Sequence, residues 1–142
     1  MVEIEEPTSE FIIRDIRKPV EKDLKTDIEW FYKCMGFMEL RDKERTAIAI
    51  FREILKAAKS GKRLTSKYLI DELKLSRGIV VYYLNKFMKA GVMIKVGNEY
   101  ELRIRNLEGI IDEMEKDILR ILSNLRDVAT EIDDRMKLLK RE

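Results

Sequence analysis

The sequence predicts a mainly α-helical protein with one small β-hairpin, in which a central helical domain is followed by a long C-terminal helix. Three observations carry this. Apolar residues recur at spacings of three and four over most of the chain, the period of an amphipathic helix. Around Gly97-Asn98 the pattern switches to strict alternation, as in two short strands joined by a tight turn. Beyond Asn106 the three-four spacing runs unbroken to Leu139, longer than the core of one small domain requires.

The 142 residues make one domain with appendages, and a hydrophobic content of 45% is enough to build a core. The single cysteine, Cys34, excludes an intramolecular disulfide, and the chain has no histidine, so the commonest general base and the commonest metal ligand are both missing. Catalytic triads and Cys/His zinc sites are excluded on that ground. The adjacent carboxylates Asp112-Glu113 and Asp133-Asp134 diverge from a helix rather than converge on a substrate. The expectation is a protein that is not an enzyme, with no catalytic residue, metal or cofactor. The longest apolar runs, Ala47 to Phe51 and Ile79 to Leu84, fall far short of the ~18 residues that cross a bilayer. The opening Met-Val-Glu-Ile-Glu-Glu is acidic where a secretion signal is basic. No membrane partner and a cytoplasmic location follow as expectations.

Residues 1–18 read as an arm whose short apolar run, Phe11-Ile12-Ile13, suits an edge strand without requiring one. Pro19 suits a first helical turn, and Val20, Leu24, Ile28, Phe31, Tyr32 and Met35 then predict a helix over 19–35 that stops at Gly36. We place 19–41 with the dimerisation module. Asp42 is the expected N-cap of a second helix running to Lys59, whose apolar positions Ala47, Ile48, Ile50, Phe51, Ile54, Leu55 and Ala58 cover more than one face and imply deep burial. Thr65-Ser66 opens a short helix over 67–74 with Leu69, Ile70 and Leu73 inward, and Ser76 caps another over 77–89 that closes at Ala90-Gly91. Two short helices on a tight turn form a helix-turn-helix unit. Strands over 92–96 and 99–104 follow, which makes 42–105 a winged helix with a short wing.

Residues 106–142 predict a coiled-coil helix. One set of heptad positions is Ile111, Ile118, Leu125, Ile132 and Leu139, and the other is Leu107, Met114, Ile121, Val128 and Arg135. A chain this small cannot cover such a seam, so Leu107, Ile111, Met114, Ile118, Ile121, Leu125, Val128 and Ile132 are the expected dimerisation residues of a homodimer. Ile110, Leu122, Ala129 and Met136 widen the stripe beyond a two-stranded seam, so the helix over 19–35 is expected to pack along the C-terminal pair. Arg135 interrupts the seam, and the last turns should fray.

Charge is unevenly spread. Residues 1–42 carry 7 basic and 11 acidic side chains, residues 43–105 carry 15 and 6, and residues 106–142 carry 7 and 10. The middle segment is therefore at +9, the sign that phosphate neutralisation requires.

From Asp42 to Arg105 the helix, the run Leu64-Thr65-Ser66-x-x-Leu69-Ile70-x-x-Leu73-x-Leu75-Ser76, the segment Ser76 to Val92 and the hairpin together resemble the ArsR-like winged helix-turn-helix transcriptional regulators. The resemblance is to archaeal members with a long C-terminal helix. The pattern Ser-x-x-x-Val-x-x-x-Leu-x-x-Leu-x-x-Ala-Gly-Leu is matched with Phe87 and Val92 in place of its last two leucines, and Tyr83 stands where many relatives have histidine. The resemblance implies dimeric binding to promoter DNA. It does not extend to metal sensing, because the Cys and His clusters of that family cannot be built here.

In the second helix of the unit, Val80, Tyr83, Leu84, Phe87 and Met88 share an inner face, and Gly78, Val81, Tyr82, Asn85 and Lys89 an outer one. The outer face fits a major groove of double-stranded DNA, with Asn85 on adenine and Val81 or Ile79 on thymine methyls. Arg77, beside Ser76, reaches a guanine or a phosphate, and Gly78 holds no side chain between backbone and DNA. Lys62, Lys67, Lys86 and Lys89 suit phosphates, Lys95 and Arg103 on the hairpin add a backbone or minor-groove contact, and Thr65 and Ser66 stand at the start of the first helix of the unit. The stretch Trp30 to Met38 reads either as packing or as a pocket for an unknown apolar effector. The sequence thus predicts a homodimeric regulator, repressing by occlusion at a pseudo-palindromic operator with half-sites ~34 Å apart. The alternative is a coiled-coil adaptor whose winged helix binds protein in a transcription or chromatin assembly.

Overall fold

The computed structural model describes residues 5–36 and 45–139. In chain order its elements are α1 (Leu24–Cys34), α2 (Thr46–Lys59), β1 (Leu64–Thr65), α3 (Ser66–Leu73), α4 (Arg77–Lys89), β2 (Met93–Val96), β3 (Glu99–Leu102) and α5 (Leu107–Met136). The fold is mainly helical with a small antiparallel sheet, and it divides after Asn106 into two compact units, the second being the α5 segment. Among the described residues no helix is long and apolar enough to cross a membrane.

Local chemistry sets where the helices begin. The helix expected from Pro19 starts at Leu24 instead, because the Asp23 carboxylate accepts the Thr26 backbone N–H at 2.8 Å and the Thr26 hydroxyl at 3.0 Å. The preceding apolar position, Val20, is 96% exposed, so its spacing serves no core. α2 starts at Thr46 rather than after Asp42, which lies outside the described residues; Arg45 precedes it in the left-handed region, φ 58°, with no side-chain cap, and pairs with Glu29 of α1.

The core of the first unit centres on Phe51. Its ring lies 6.2 Å from each of Phe31, Tyr32 and Phe87, stacked on the first and edge-on to the last. Ile50, Ile54, Leu69, Val80, Leu84 and Val92 are buried with it. α1 packs on α2 through Phe31 and Tyr32 and belongs to the same compact unit.

The sheet has the order β1-β3-β2, and the sequence pattern did not reveal its third strand. Leu64 pairs with Tyr100 and Thr65 with Glu99, while Met93 pairs with Leu102 and Lys95 with Tyr100. Both hairpin strands are shorter than expected. Gly97 at the first turn position has φ +64°, the left-handed conformation that glycine adopts without steric cost.

The described part of the N-terminal arm, from residue 5, is held mainly by backbone bonds and forms no strand. Glu10 N–H donates to Lys89 O at 2.8 Å, Arg14 N–H to Cys34 O at 2.7 Å, and the Trp30 indole N–H to Ile16 O at 3.1 Å. Phe11 lies against Gly91, where φ is +80° and an added Cβ would stand 3.2 Å from the ring.

α5 runs for 30 residues, on the order of 45 Å. Lys137, at φ 56°, ends it. Ile110 and Met114 are buried, but Leu119, Leu122, Leu125, Val128, Ile132 and Met136 are all exposed.

Candidate nucleic-acid interface

Two capped helices on a three-residue turn position the candidate surface. Thr65 Oγ1 accepts the Tyr68 backbone N–H at 3.1 Å and Ser76 Oγ accepts that of Ile79 at 3.2 Å, satisfying first-turn donors that would otherwise be orphaned. Between them Lys74 takes φ 53°, and Leu75 N–H closes the end of α3 on Ile70 O. Leu69 from α3 and Val80 and Leu84 from α4 are completely buried, so the relative position of the two helices is set by core packing.

This packing divides α4 as its periodicity predicts. Val80, Tyr83, Leu84 and Phe87 are buried and Met88 half-buried. On the other side Arg77, Gly78, Ile79, Tyr82 and Asn85 are exposed, with Val81, Lys86 and Lys89 half-buried at the margins. At about 100° per residue, Gly78, Tyr82, Asn85 and Lys89 fall along one line, flanked by Ile79 and Lys86. Tyr82 is 51% and Ile79 43% exposed, and from Gly78 to Asn85 the helix carries no charge. The surface offers one guanidinium at its N-terminal end, two ammonium groups towards its C-terminal end, and an uncharged centre.

Around it, Lys62 and Lys67 are exposed, Thr65 and Ser66 half-buried, and Ser76 exposed with its hydroxyl engaged in capping. Lys95 is exposed over the Tyr100 ring, 5.6 Å from its centroid. Arg103 lies at the base of the hairpin, not on it: β3 ends at Leu102, and the Arg103 guanidinium stands beside Gly91. The Arg103 backbone N–H donates to Val92 O at 2.9 Å across the base of the hairpin. Arg63 is paired with Glu101 at 3.3 Å.

Sequence reasoning did not single out two residues near this surface. Lys74 is exposed in the turn, and its signal was only a basic residue in a position where glycine is the usual helix end. Tyr68, 44% exposed on α3, sends its hydroxyl to Glu53 Oε2 at 3.4 Å. The negative charge of Glu53 holds its phenol above the ordinary tyrosine range, so it remains a neutral donor.

On α5, Ile111, Leu125, Val128 and Ile132 of the expected dimerisation set are exposed, Leu107, Ile118 and Ile121 half-buried, and Met114 buried within the single chain. The aromatic cluster is used in packing: Phe31 stacks on Phe51, Tyr32 and Met35 are buried, and the Trp30 indole binds arm carbonyls. Phe37 and Met38 lie outside the described residues.

No protein-family model, curated protein or solved structure matches this chain.

Proposed function

We propose that this chain is a cytoplasmic, homodimeric transcriptional regulator that binds operator DNA through a winged helix formed by residues 42–105. The order of α2, β1, α3, α4, β2 and β3 with the sheet order β1-β3-β2 supports this reading, as does the resemblance to ArsR-like regulators. The observation that carries it is the exposed outer face of α4, presented by the capped α3-turn-α4 unit inside the segment of charge +9. A helix so presented fits the major groove, where Asn85 pairs with an adenine edge and Arg77 with a guanine or phosphate. Lys62, Lys67, Lys86, Lys89 and Lys95 are assigned to phosphates, which supply affinity and salt dependence. The exposed apolar stripe of α5 supports self-association, which would bring two such helices to the two halves of a pseudo-palindromic site and repress by occlusion.

The second reading is a coiled-coil adaptor whose winged helix binds protein. It is favoured by the uncharged centre of the α4 face, since charge is usually depleted at the core of protein interfaces. Asn85→Ala separates the two. For a DNA reader it should weaken binding to the preferred duplex by roughly 1–3 kcal/mol while leaving binding to scrambled DNA unchanged. No sequence preference in the parent protein, together with a protein partner that Asn85→Ala still binds, argues for the adaptor.

A further inference from the structure

Resting on that DNA-binding reading, we propose that α4 reads the 5-methyl groups of thymine with Ile79 and Tyr82, and that Gly78 is the point where it approaches the duplex most closely.

Nothing within the chain requires glycine at position 78. It lies in the first turn of α4 with ordinary helical backbone, and an added Cβ would meet nothing within 4 Å. Neither a positive φ nor a crowded neighbour requires glycine there, whereas at Gly91 both do. Glycine is one of the poorest residues within a helix, so at this position it weakens α4 with no return inside the chain. It does leave the backbone bare on the exposed line with Tyr82 and Asn85, which is the return that a close external contact provides.

The neighbouring side chains define what is contacted. Guanine is commonly read by the bidentate reach of Arg or Lys, adenine by Asn or Gln, and thymine by apolar contact with its methyl group. From Gly78 to Asn85 there is no Arg or Lys, one Asn, and two large exposed side chains of apolar body, Ile79 and Tyr82. Ile79 and Tyr82 lie one turn apart on one side of the helix, about 4.5 Å along its axis. Buried between α4 and a groove, their apolar bodies gain from methyl groups what an exposed isoleucine forfeits to water, and Ile79 gains nothing from a phosphate.

The test uses the full chain and duplexes recovered by selection from a random pool, then remade with deoxyuridine for thymidine, which removes the methyl group and keeps the base pairing. Each contacted methyl should be worth about fourfold in affinity, so uridine duplexes should bind several-fold more weakly. Ile79→Ala should erase much of that difference. Gly78→Ala should bind the selected duplex more weakly while melting at the same or a higher temperature than the parent, a combination that loss of folding cannot produce. Equal affinity for thymidine and uridine duplexes, or unchanged binding by Gly78→Ala, overturns the proposal while leaving a DNA reader in place. Failure of the pool to yield any preferred sequence overturns the DNA-binding reading itself and this proposal with it.

Discussion

Residues up to Asn106 and helix α5 are written in the same apolar spacing, yet they use it in opposite ways. In the first unit the spacing closes on itself: Phe51 is enclosed by rings from α1 and α4, and Leu69, Val80 and Leu84 lose all contact with water. In α5 the spacing continues for turns after the burial of Ile110 and Met114 has ended, leaving Leu125 at 60% and Val128 at 55% exposed. Periodicity thus fixes which face of a helix is apolar, but not whether the covering surface comes from the same chain. Exposed apolar area of this extent is what an association surface presents. We assign it to a second copy because the stripe follows a heptad register.

The largest expected effect breaks this contrast on its open side. Leu125→Glu with Ile132→Glu removes two apolar side chains worth about 1.5–3 kcal/mol each from the proposed seam. Self-association measured by sedimentation equilibrium should weaken at least ~100-fold, while the unfolding of the first unit is retained. An unchanged mass would show that the stripe is not the seam. Next in size is the closed side. Phe51→Ala should cost about 3–5 kcal/mol in denaturant unfolding, because it empties the centre of a packed core. A loss below 1 kcal/mol would show that the rings around it do not depend on Phe51.

Smaller substitutions sharpen the comparison within the first unit. Ser76→Ala should destabilise it by about 1 kcal/mol, the usual contribution of a capping hydroxyl, and Ser76→Asp should restore most of this. Equal stability of parent and alanine variants would dissociate the cap from α4. The smallest effect is at Asp23, where the Thr26 N–H and hydroxyl hold the exposed carboxyl below its ordinary value of 3.8. A lowered folded-state pKa stabilises above the unfolded value, and this contribution is lost as pH falls through the folded one. Helicity of α1, followed through the Thr26 amide resonance, should therefore fade in acid, and Asp23→Asn, which caps without titrating there, should flatten the profile.

Where interactions are local in sequence, the fold was legible. The Ser76 cap, the inner face of α4, the Gly97 turn and the end of α2 all follow from residues within a turn or two of each other. Legibility failed where a partner is distant. β1 is two residues long and exists through pairing with Tyr100 and Glu99, which no local pattern announces. The arm is ordered by carbonyls that meet the Trp30 indole and by backbone bonds to the ends of α1 and α4, groups that every residue possesses. The start of α1 was misplaced because Pro19 and Val20 continue the spacing, whereas the cap that begins the helix is at Asp23. Of the candidate site, Tyr82 and Asn85 were legible as an outward pair. The displacement of Arg103 to the base of the hairpin was not, since it depends on β3 ending at Leu102.

We propose that the first unit reads DNA and that α5 pairs two copies of it. Fluorescence anisotropy of the full chain on a duplex from the region upstream of its own gene, against a scrambled duplex at several salt concentrations, tests it most directly. A preference of at least tens-fold that persists at physiological salt is expected, as specific recognition requires. Equal binding to both duplexes that vanishes as salt rises would contradict it, reducing the interface to a basic surface.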